Sequence, residues 1–121
     1  MRLWKRRWSI LDNRQKALNL IGLATKAGKT ASGEFSTEKA IKTGKAHLVV
    51  VSEEASDNTK KMFMNMCTYY KVPICYFGGK GELGHAMGKE LRASLAVVDE
   101  GFARAIVKQM NTIGGSEYES E

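Results

Sequence analysis

The sequence predicts an α/β protein in which a sheet carries helices on both faces. Short apolar runs rich in β-branched residues alternate along the chain with longer amphipathic stretches, the order expected of an α/β sandwich. At least part of such a sheet is parallel, because helices connect successive strands. The chain has 121 residues, 43% of them hydrophobic, which is enough for one domain with its own core.

The first predicted helix covers about residues 13–27, where apolar residues recur at helical spacing. Ser9 and Asp12 precede this run with the spacing of a capping box, which marks a helix start. Gly28 is suited to the left-handed position that follows a helix. The first helix should therefore begin after a basic N-terminal segment and end just before Gly28.

A second helix and the central strand follow. Residues 29–32 are long enough only for a brief edge strand. Ser32 or Gly33 then caps a helix that runs to about Thr43. The run AHLVVVS at 46–52 is apolar, β-branched and bounded by polar residues, which makes it the clearest strand of the sequence.

The C-terminal half repeats the alternation. Pro73 stands near the start of a strand, where its missing N–H group is tolerated. The predicted elements, in chain order, are a helix capped by Ser56 or Asp57 and ending near Tyr70, a strand at 72–77, a glycine-broken loop with a short helix at 78–91, a strand at 94–99 and a helix from Gly101 to about Met110.

Composition and charge narrow the class of function. The longest strongly apolar stretch, 48–51, is far shorter than the roughly 20 residues of a membrane span. No apolar segment of the signal-peptide type follows the basic N-terminus, so we predict a cytoplasmic protein without a membrane partner. The net charge is +6, with six Lys or Arg against one Asp in residues 1–16 and three Glu in residues 117–121. A basic domain with an acidic tip favours a polyanionic partner such as RNA.

We predict three parts, a basic N-terminal extension at 1–12, one α/β domain at 13–112 and an acidic flexible tail at 113–121, and we expect the protein to be a monomer. Trp4 and Trp8 flank Lys5, Arg6 and Arg7, at a spacing that gives two residues one helix face. Two interpretations of the extension remain open. It is a disordered tail or packing strap, or it is an additional arm that binds phosphates and stacks on bases.

The stretch GKTASGEFSTEKAIKTGK at 28–45 raises the question of a nucleotide-binding loop. Gly28 and Gly33 have the glycine spacing of a P-loop. Glu34 and Phe35 follow, where that loop needs a lysine and a hydroxyl group for phosphate and magnesium. Nucleotide hydrolysis is therefore not indicated.

Metal and catalytic sites are not indicated either. Cys67 and Cys75 lack a second cysteine pair or a nearby histidine cluster, which predicts two reduced thiols. His47 and His85 have no metal partner at short spacing. The sequence therefore predicts no cofactor, no metal and no enzymatic activity.

An RNA-binding turn suits the same stretch better. A helix N-terminus offers free backbone N–H groups and a partial positive charge, both favourable for a phosphate. Gly33 allows a second backbone to approach closely. Lys29 precedes this helix and Lys39 lies about two turns into it, although the spacing alone is equally that of an ordinary solvated lysine.

Several short pieces in fixed order carry a family resemblance. From about Gln15 to Val107, the chain resembles the bacterial YlxQ-like members of the L-seven-Ae ribosomal protein superfamily. The resemblance implies a three-layer α/β/α sandwich around a mixed four-stranded sheet. It also implies binding of kink-turn RNA, a helix–internal loop–helix element with a sharp bend. The pieces are AGK…SG at 27–33, KAI..GKA.LV at 39–49, SEEAS.NTKK at 52–61, and ELG at 82–84 followed by Gly88.

The resemblance also implies which residues face the RNA. In archaeal and eukaryotic relatives, the second helix starts with the pattern Gly-x-Asn-Glu-x-x-Lys, and a loop after the third main strand flanks the same RNA. The loop corresponds to residues 79–83 here. With Lys29 added from its position before the helix, the predicted RNA-binding residues are Lys29, Gly33, Glu34, Phe35, Ser36, Lys39, Lys80, Gly81, Glu82 and Leu83.

Two positions depart from the family pattern. Gly33 and Lys39 match it, but Phe35 and Ser36 stand where the relatives have the Asn and Glu that read guanine edges. The Phe35 side chain forms no hydrogen bond, and the Ser36 hydroxyl reaches only a short distance. Phe35 either stacks on an unpaired base or turns into the protein, and we favour inward packing.

The leading function predicted from the sequence is a non-enzymatic protein that binds structured RNA. Ribosomal RNA, and a ribosome or another ribonucleoprotein, are the partners that the family resemblance implies. The alternative is a protein-interaction module that keeps the fold with weakened RNA affinity, which the loss of the Asn and Glu equivalents favours.

Overall fold

The structure is a computed structural model that describes the backbone of residues 2–114 and the side chains of residues 14–110. Helices and strands alternate through the described residues, as the sequence predicts. The elements are α1 (Arg2–Lys26), β1 (Thr30–Ser32), α2 (Glu34–Lys42), β2 (Leu48–Val51), α3 (Asp57–Tyr70), β3 (Ile74–Tyr76), α4 (Lys80–Ala86), β4 (Ser94–Val97) and α5 (Glu100–Gly114).

The four strands form one mixed sheet in the order β1-β4-β2-β3. β4 is antiparallel to both β1 and β2, while β2 and β3 are parallel. Three strands therefore end, and β4 begins, at the same end of the sheet. We call it the front end, marked by Ser32, Val51, Tyr76 and Ser94, and the opposite end the back end, marked by Thr30, Leu48, Ile74 and Val97.

Helices cover both faces of this sheet. Successive strand residues point to opposite faces, so Val50 belongs to one core cluster and Val49 to the other. On the first face, residues of α1, α4 and α5, such as Ile21 and Ile106, complete the core. On the second face, α2 and α3 contribute Ile41, Phe63 and Cys67. The predicted three-layer α/β/α sandwich with a mixed four-stranded sheet is confirmed.

Local signals placed most elements correctly. Residues 30–32 do form a short edge strand, paired with β4 alone. Ser56 caps α3, because its hydroxyl accepts a hydrogen bond from the Thr59 N–H at 3.1 Å. No helix within residues 2–114 is both long and apolar enough to cross a membrane.

The start of α1 differs from the prediction. The helix begins at Arg2 and not near residue 13. Residues 1–21 contain no glycine or proline, so nothing in the sequence stops the helix before Ser9 and Asp12. The capping-box pattern therefore lies inside a continuous helix of 25 residues. The predicted tail at 113–121 lies mostly outside the described residues.

Candidate nucleic-acid interface

Gly33 starts α2 at the front end of the sheet. Its backbone angles, φ 93° and ψ 161°, belong to a region that is essentially reserved for glycine. No side chain caps the N–H groups of the first turn of α2. A Cβ atom on Gly33 would meet no atom within 4 Å. The space in front of this helix start is therefore open, and its uncapped N–H groups suit an anion.

Phe35 is the most conspicuous side chain beside this helix start. It is 78% exposed, so the inward packing favoured from the sequence is wrong. The buried residues of α2 are Thr37, Ala40 and Ile41, at the spacing of a single face. Phe35 lies two residues before Thr37, outside that face. The first turn thus presents an aromatic ring to solvent beside uncapped N–H groups.

The other predicted residues of α2 add charge of both signs to the same helix. Glu34 is exposed in the first turn, where its carboxylate is favourable for the helix dipole and unfavourable for a phosphate. Ser36 is half-buried. Lys39 is exposed further along the helix and supplies a positive charge on the same element.

The second predicted segment, at the start of α4, is built differently. The Gly79 N–H donates to Glu82 Oε1 at 2.9 Å, and the Lys80 N–H donates to Glu54 Oε1 at 2.9 Å. Two carboxylates therefore occupy the backbone donors of this turn. Phosphate contact by the turn's backbone is disfavoured, which leaves the half-buried Lys80 side chain and exposed Gly81 as the accessible parts.

Two residues of this segment, Leu83 and Glu82, have structural roles in the fold. Leu83 is 0% exposed and belongs to the core between α4 and the sheet, so a direct RNA contact by its side chain is ruled out. It faces inward because α4 packs Leu83 and Gly84 against the molecule. Glu82 also pairs with Arg14 at 3.3 Å, so this carboxylate both caps α4 and holds α1.

Arg92 connects the two predicted segments. Its backbone N–H donates to the Lys80 carbonyl oxygen at 3.1 Å, and its Nε donates to the Ser32 hydroxyl at 3.3 Å. The Gly33 N–H in turn donates to the Ser94 carbonyl oxygen at 3.0 Å. The starts of α2 and α4 thus lie on one continuous front-end surface. Leu91, which precedes Arg92 in the loop between α4 and β4, is 64% exposed.

Sequence reasoning missed Arg92 and Leu91. The loop between α4 and β4 has no spacing motif, and a basic residue before a strand is common on protein surfaces. Only the antiparallel placement of β4 between β1 and β2 brings this loop beside Ser32. No local pattern in the sequence encodes that arrangement.

Lys29 does not join this surface. The Val98 N–H donates to its carbonyl oxygen at 2.8 Å, which fixes it at the back end of the sheet. Gly33 lies four positions further along the chain, at the other end of the extended strand β1, about 13 Å away at 3.3 Å per residue. Lys29 therefore lies at the opposite end of the sheet from the other predicted RNA-binding residues.

Catalytic and metal chemistry find little support in the described part of the chain. No three His, Cys, Asp or Glu side chains among the described residues are grouped to hold a metal. Burial raises the pKa of the Cys67 thiol to about 11 and the pKa of the Cys75 thiol to about 12. Thiols with such pKa values are protonated near neutral pH and poorly nucleophilic.

Comparison with known proteins decides the family. The model of the ribosomal protein L7Ae/L30e/S12e/Gadd45 family matches residues 15–107. The chain belongs to this family. Within the L7Ae/L30e/S12e/Gadd45 family, it is 41% identical over 92 residues to the RNA-binding protein YlxQ of Bacillus subtilis, covering 76% of this chain and 92% of that protein. The YlxQ of Enterococcus faecium is 45% identical over 92 residues, covering 76% and 88%. The predicted YlxQ-like resemblance is confirmed.

A further relative and two solved structures extend the likeness. The large ribosomal subunit protein eL8 of Thermoplasma volcanium is 32% identical over 100 residues, covering 82% of this chain and 83% of that protein. Among solved structures, a Bacillus halodurans protein of unknown function has a TM-score of 0.77 at 35% identity, covering 79% and 97%. The Giardia lamblia 15.5kD RNA binding protein has a TM-score of 0.71 at 19% identity, covering 85% and 88%, a likeness of fold alone.

Proposed function

We propose that this protein is a non-enzymatic RNA-binding protein that takes a structured, kink-turn-like RNA on the front end of its sheet. The names of its relatives support RNA as the ligand, since the YlxQ proteins are called RNA-binding proteins and eL8 is a ribosomal protein. A net charge of +6 favours the same class of partner. The ribosomal relatives make ribosomal RNA the first natural target to examine.

The observation that carries the proposal is the pair of hydrogen bonds made by Arg92. They join the two segments that the family resemblance assigns to RNA, at Ser32 beside the start of α2 and at Lys80 in the start of α4. A single RNA can therefore contact both segments at once. The open space in front of Gly33 leaves room for its backbone.

The starts of α2 and α4 have different roles in this proposal. Uncapped N–H groups at the start of α2, together with Lys39, bind phosphate and set the position of the RNA. Lys80 adds a second positive charge across the surface. Phe35, exposed at 78%, stacks on an unpaired base, which replaces the hydrogen bonds that Asn makes at this position in other relatives.

A side-by-side titration tests the proposal. The purified protein is mixed with one kink-turn RNA and with a plain RNA duplex of equal length, over a series of salt concentrations. We expect at least about tenfold tighter binding of the kink-turn RNA, equal to about 1.4 kcal/mol. The preference should persist at high salt, because shape and stacking contacts are less screened than phosphate contacts.

The same titration distinguishes the alternatives. Equal affinity for both RNAs would reduce the function to non-specific binding through charge. Binding to neither RNA would contradict the proposal and favour the protein-interaction module. The monomeric state, the cytoplasmic location and the domain boundaries at residues 12 and 113 stay predictions.

A further inference from the structure

The helix α1 is anchored at both ends of the sheet. Near the front end, the Arg14 guanidinium lies 3.3 Å from Glu82 Oε1 and 4.8 Å from the centre of the Phe77 ring. At the back end, the Thr25 hydroxyl accepts a hydrogen bond from the Thr30 hydroxyl at 3.1 Å. The stretch between Arg14 and Thr25 therefore crosses the whole length of the sheet.

The rest of α1 continues beyond the front end. Twelve residues, 2–13, precede Arg14 in this helix, and at 1.5 Å per residue they extend it by about 18 Å. This segment, residues 2–13, is here called the arm. It ends next to Arg14, which contacts Glu82 in the same turn that carries Lys80. The arm thus begins at the border of the candidate RNA surface.

The arm is strongly basic and is an addition to the family fold. The match to the family model begins at residue 15, after the arm has ended. Four Lys or Arg residues occur in residues 2–7 without an acidic residue among them. This run of positive charge is suited to a row of phosphates.

We propose that the arm is a second RNA-binding surface, which contacts the phosphates of an RNA helix leaving the front-end site. This inference rests on the proposed function, because it needs an RNA seated at the front end. A helical arm about 18 Å long spans several successive phosphates of one duplex. Contacts of this kind fix position and add affinity without reading sequence.

The chain contains its own reporter for this contact. Trp4 and Trp8 are its only tryptophans, and both lie in the arm. Intrinsic tryptophan fluorescence therefore reports on the arm alone. We expect the emission to change on binding a kink-turn RNA with long flanking helices, and to stay unchanged with an RNA whose flanking helices are trimmed short.

Affinity measurements over a salt series supply the second test. The arm variant carries Arg2→Gln, Lys5→Gln, Arg6→Gln and Arg7→Gln. With the long-flanked RNA, we expect its log–log salt slope to fall by about 2 to 4 relative to the parent, about one for each lost phosphate contact. With the trimmed RNA, the two proteins should have the same slope.

A matched control removes the same charge from the back end of the sheet. It carries four substitutions of exposed lysines to glutamine. Its log–log salt slope should change by less than about 1, because we expect none of these lysines to contact a phosphate in the parent protein. Equal slopes for the parent and arm variant would overturn the inference while leaving the proposed function intact. The substituted residues are Lys26, Lys29, Lys45 and Lys71.

Three further results would also count against the inference. Equal losses in the arm variant and the control would assign the effect to net charge. A parent protein that binds neither RNA would remove the proposed function and the inference with it. A tryptophan emission that responds to deletion of the acidic residues 115–121, and not to RNA, would indicate that the arm interacts with the chain's own C-terminal residues.

Discussion

The guanidinium of Arg92 lies 3.3 Å from the Ser32 hydroxyl, a contact between residues 60 positions apart in the chain. Ser32 is the last residue of β1 and Gly33 starts α2 directly after it. The contact therefore fixes the helix start relative to the loop that precedes β4. A loop tethered in this way loses little further freedom when a ligand binds.

Replacing Arg92 should weaken RNA binding more than it weakens the fold. Arg92→Ala keeps the backbone hydrogen bond to Lys80 and loses the side-chain hydrogen bonds to the Ser32 hydroxyl and the Leu91 carbonyl oxygen. We expect a loss of up to about 1 kcal/mol in the free energy of unfolding, and about a tenfold loss of affinity for kink-turn RNA, or about 1.4 kcal/mol. Urea unfolding and RNA titration measure the two effects.

Arg104→Ala is the matched control for that change. It removes the same charge and an ion pair, since Arg104 lies 2.6 Å from Glu100 on α5. Arg104 lies near the back end of the sheet, so the RNA affinity of this variant should remain close to that of the parent. A similar loss in both variants would mean that net charge, not the contact with Ser32, supports binding.

Phe35→Ala should leave the fold intact and reduce RNA affinity. The ring is 78% exposed and contributes little to the core. Stacking of a base on an aromatic ring contributes about 1 to 3 kcal/mol, which corresponds to a loss of about 5-fold to 150-fold. Tyr69→Ala is the control, because Tyr69 is also 78% exposed but lies at the far end of α3, towards the back of the sheet. Equal affinities for the Phe35 variant and the parent would exclude stacking.

Two lysines of α2 should behave differently. Lys39→Ala removes an exposed charge near the proposed phosphate site, and we expect the log–log salt slope to fall by about 1. Lys42→Ala should have less effect, because Lys42 Nζ is 3.9 Å from Glu38 Oε1 and is already paired. Lys80→Ala should resemble Lys39→Ala. If Lys42→Ala alone reduced affinity, the RNA surface would lie elsewhere.

Two glycines of α4 form a matched pair for stability. A Cβ atom on Gly84 would overlap the Glu90 carbonyl oxygen, so the backbone of the following loop would have to move. We expect Gly84→Ala to lower the free energy of unfolding by about 3 kcal/mol or more. At Gly81 a Cβ atom meets nothing within 4 Å, so Gly81→Ala should be neutral or stabilise by up to about 1 kcal/mol. Equal stabilities in urea unfolding would contradict the close approach of Gly84 to Glu90.

The two thiols should respond to pH and to unfolding. Burial raises the pKa of Cys67 to about 11 and that of Cys75 to about 12, from an ordinary value of 9.0. In the unfolded chain both thiols ionise near pH 9, whereas the folded state keeps them protonated. Their contribution to stability is therefore complete below pH 9 and is lost as the pH rises towards 11 and 12.

Measurements of unfolding and of thiol reactivity examine this expectation. In urea unfolding at pH 7, 9 and 10, the free energy of unfolding should decline above pH 9. The decline should be smaller in a Cys67→Ala, Cys75→Ala double variant. A thiol reagent at pH 8 should react only after urea is added. Rapid reaction in the native state would show that at least one thiol is accessible.

The sequence predicted those features that depend on local patterns. The apolar run at 48–51 became the central strand β2, and Gly33 became the helix start that its position indicated. The helix boundary near residue 13 was wrong, because a capping pattern without a glycine or proline does not interrupt a helix.

The candidate site was predicted only in part, because side-chain direction and strand order are not local properties. The burial of Leu83 follows from how α4 packs on the sheet, and the exposure of Phe35 follows from which face α2 buries. The separation of Lys29 from Gly33 follows from the direction of β1 between them. The position of Arg92 beside Ser32 depends on the pairing of β4 with β1, which no local sequence pattern indicates.

The strand order also determines when the front-end surface can form during synthesis. β4 is the last strand of the described chain to leave the ribosome, yet it alone pairs with β1 and links that strand to β2. A nascent chain ending before Ser94 can form only the parallel pair of β2 and β3. Ser32 then has neither its neighbouring strand nor its contact with Arg92 in place, so we expect the front-end surface to form only when synthesis is nearly complete.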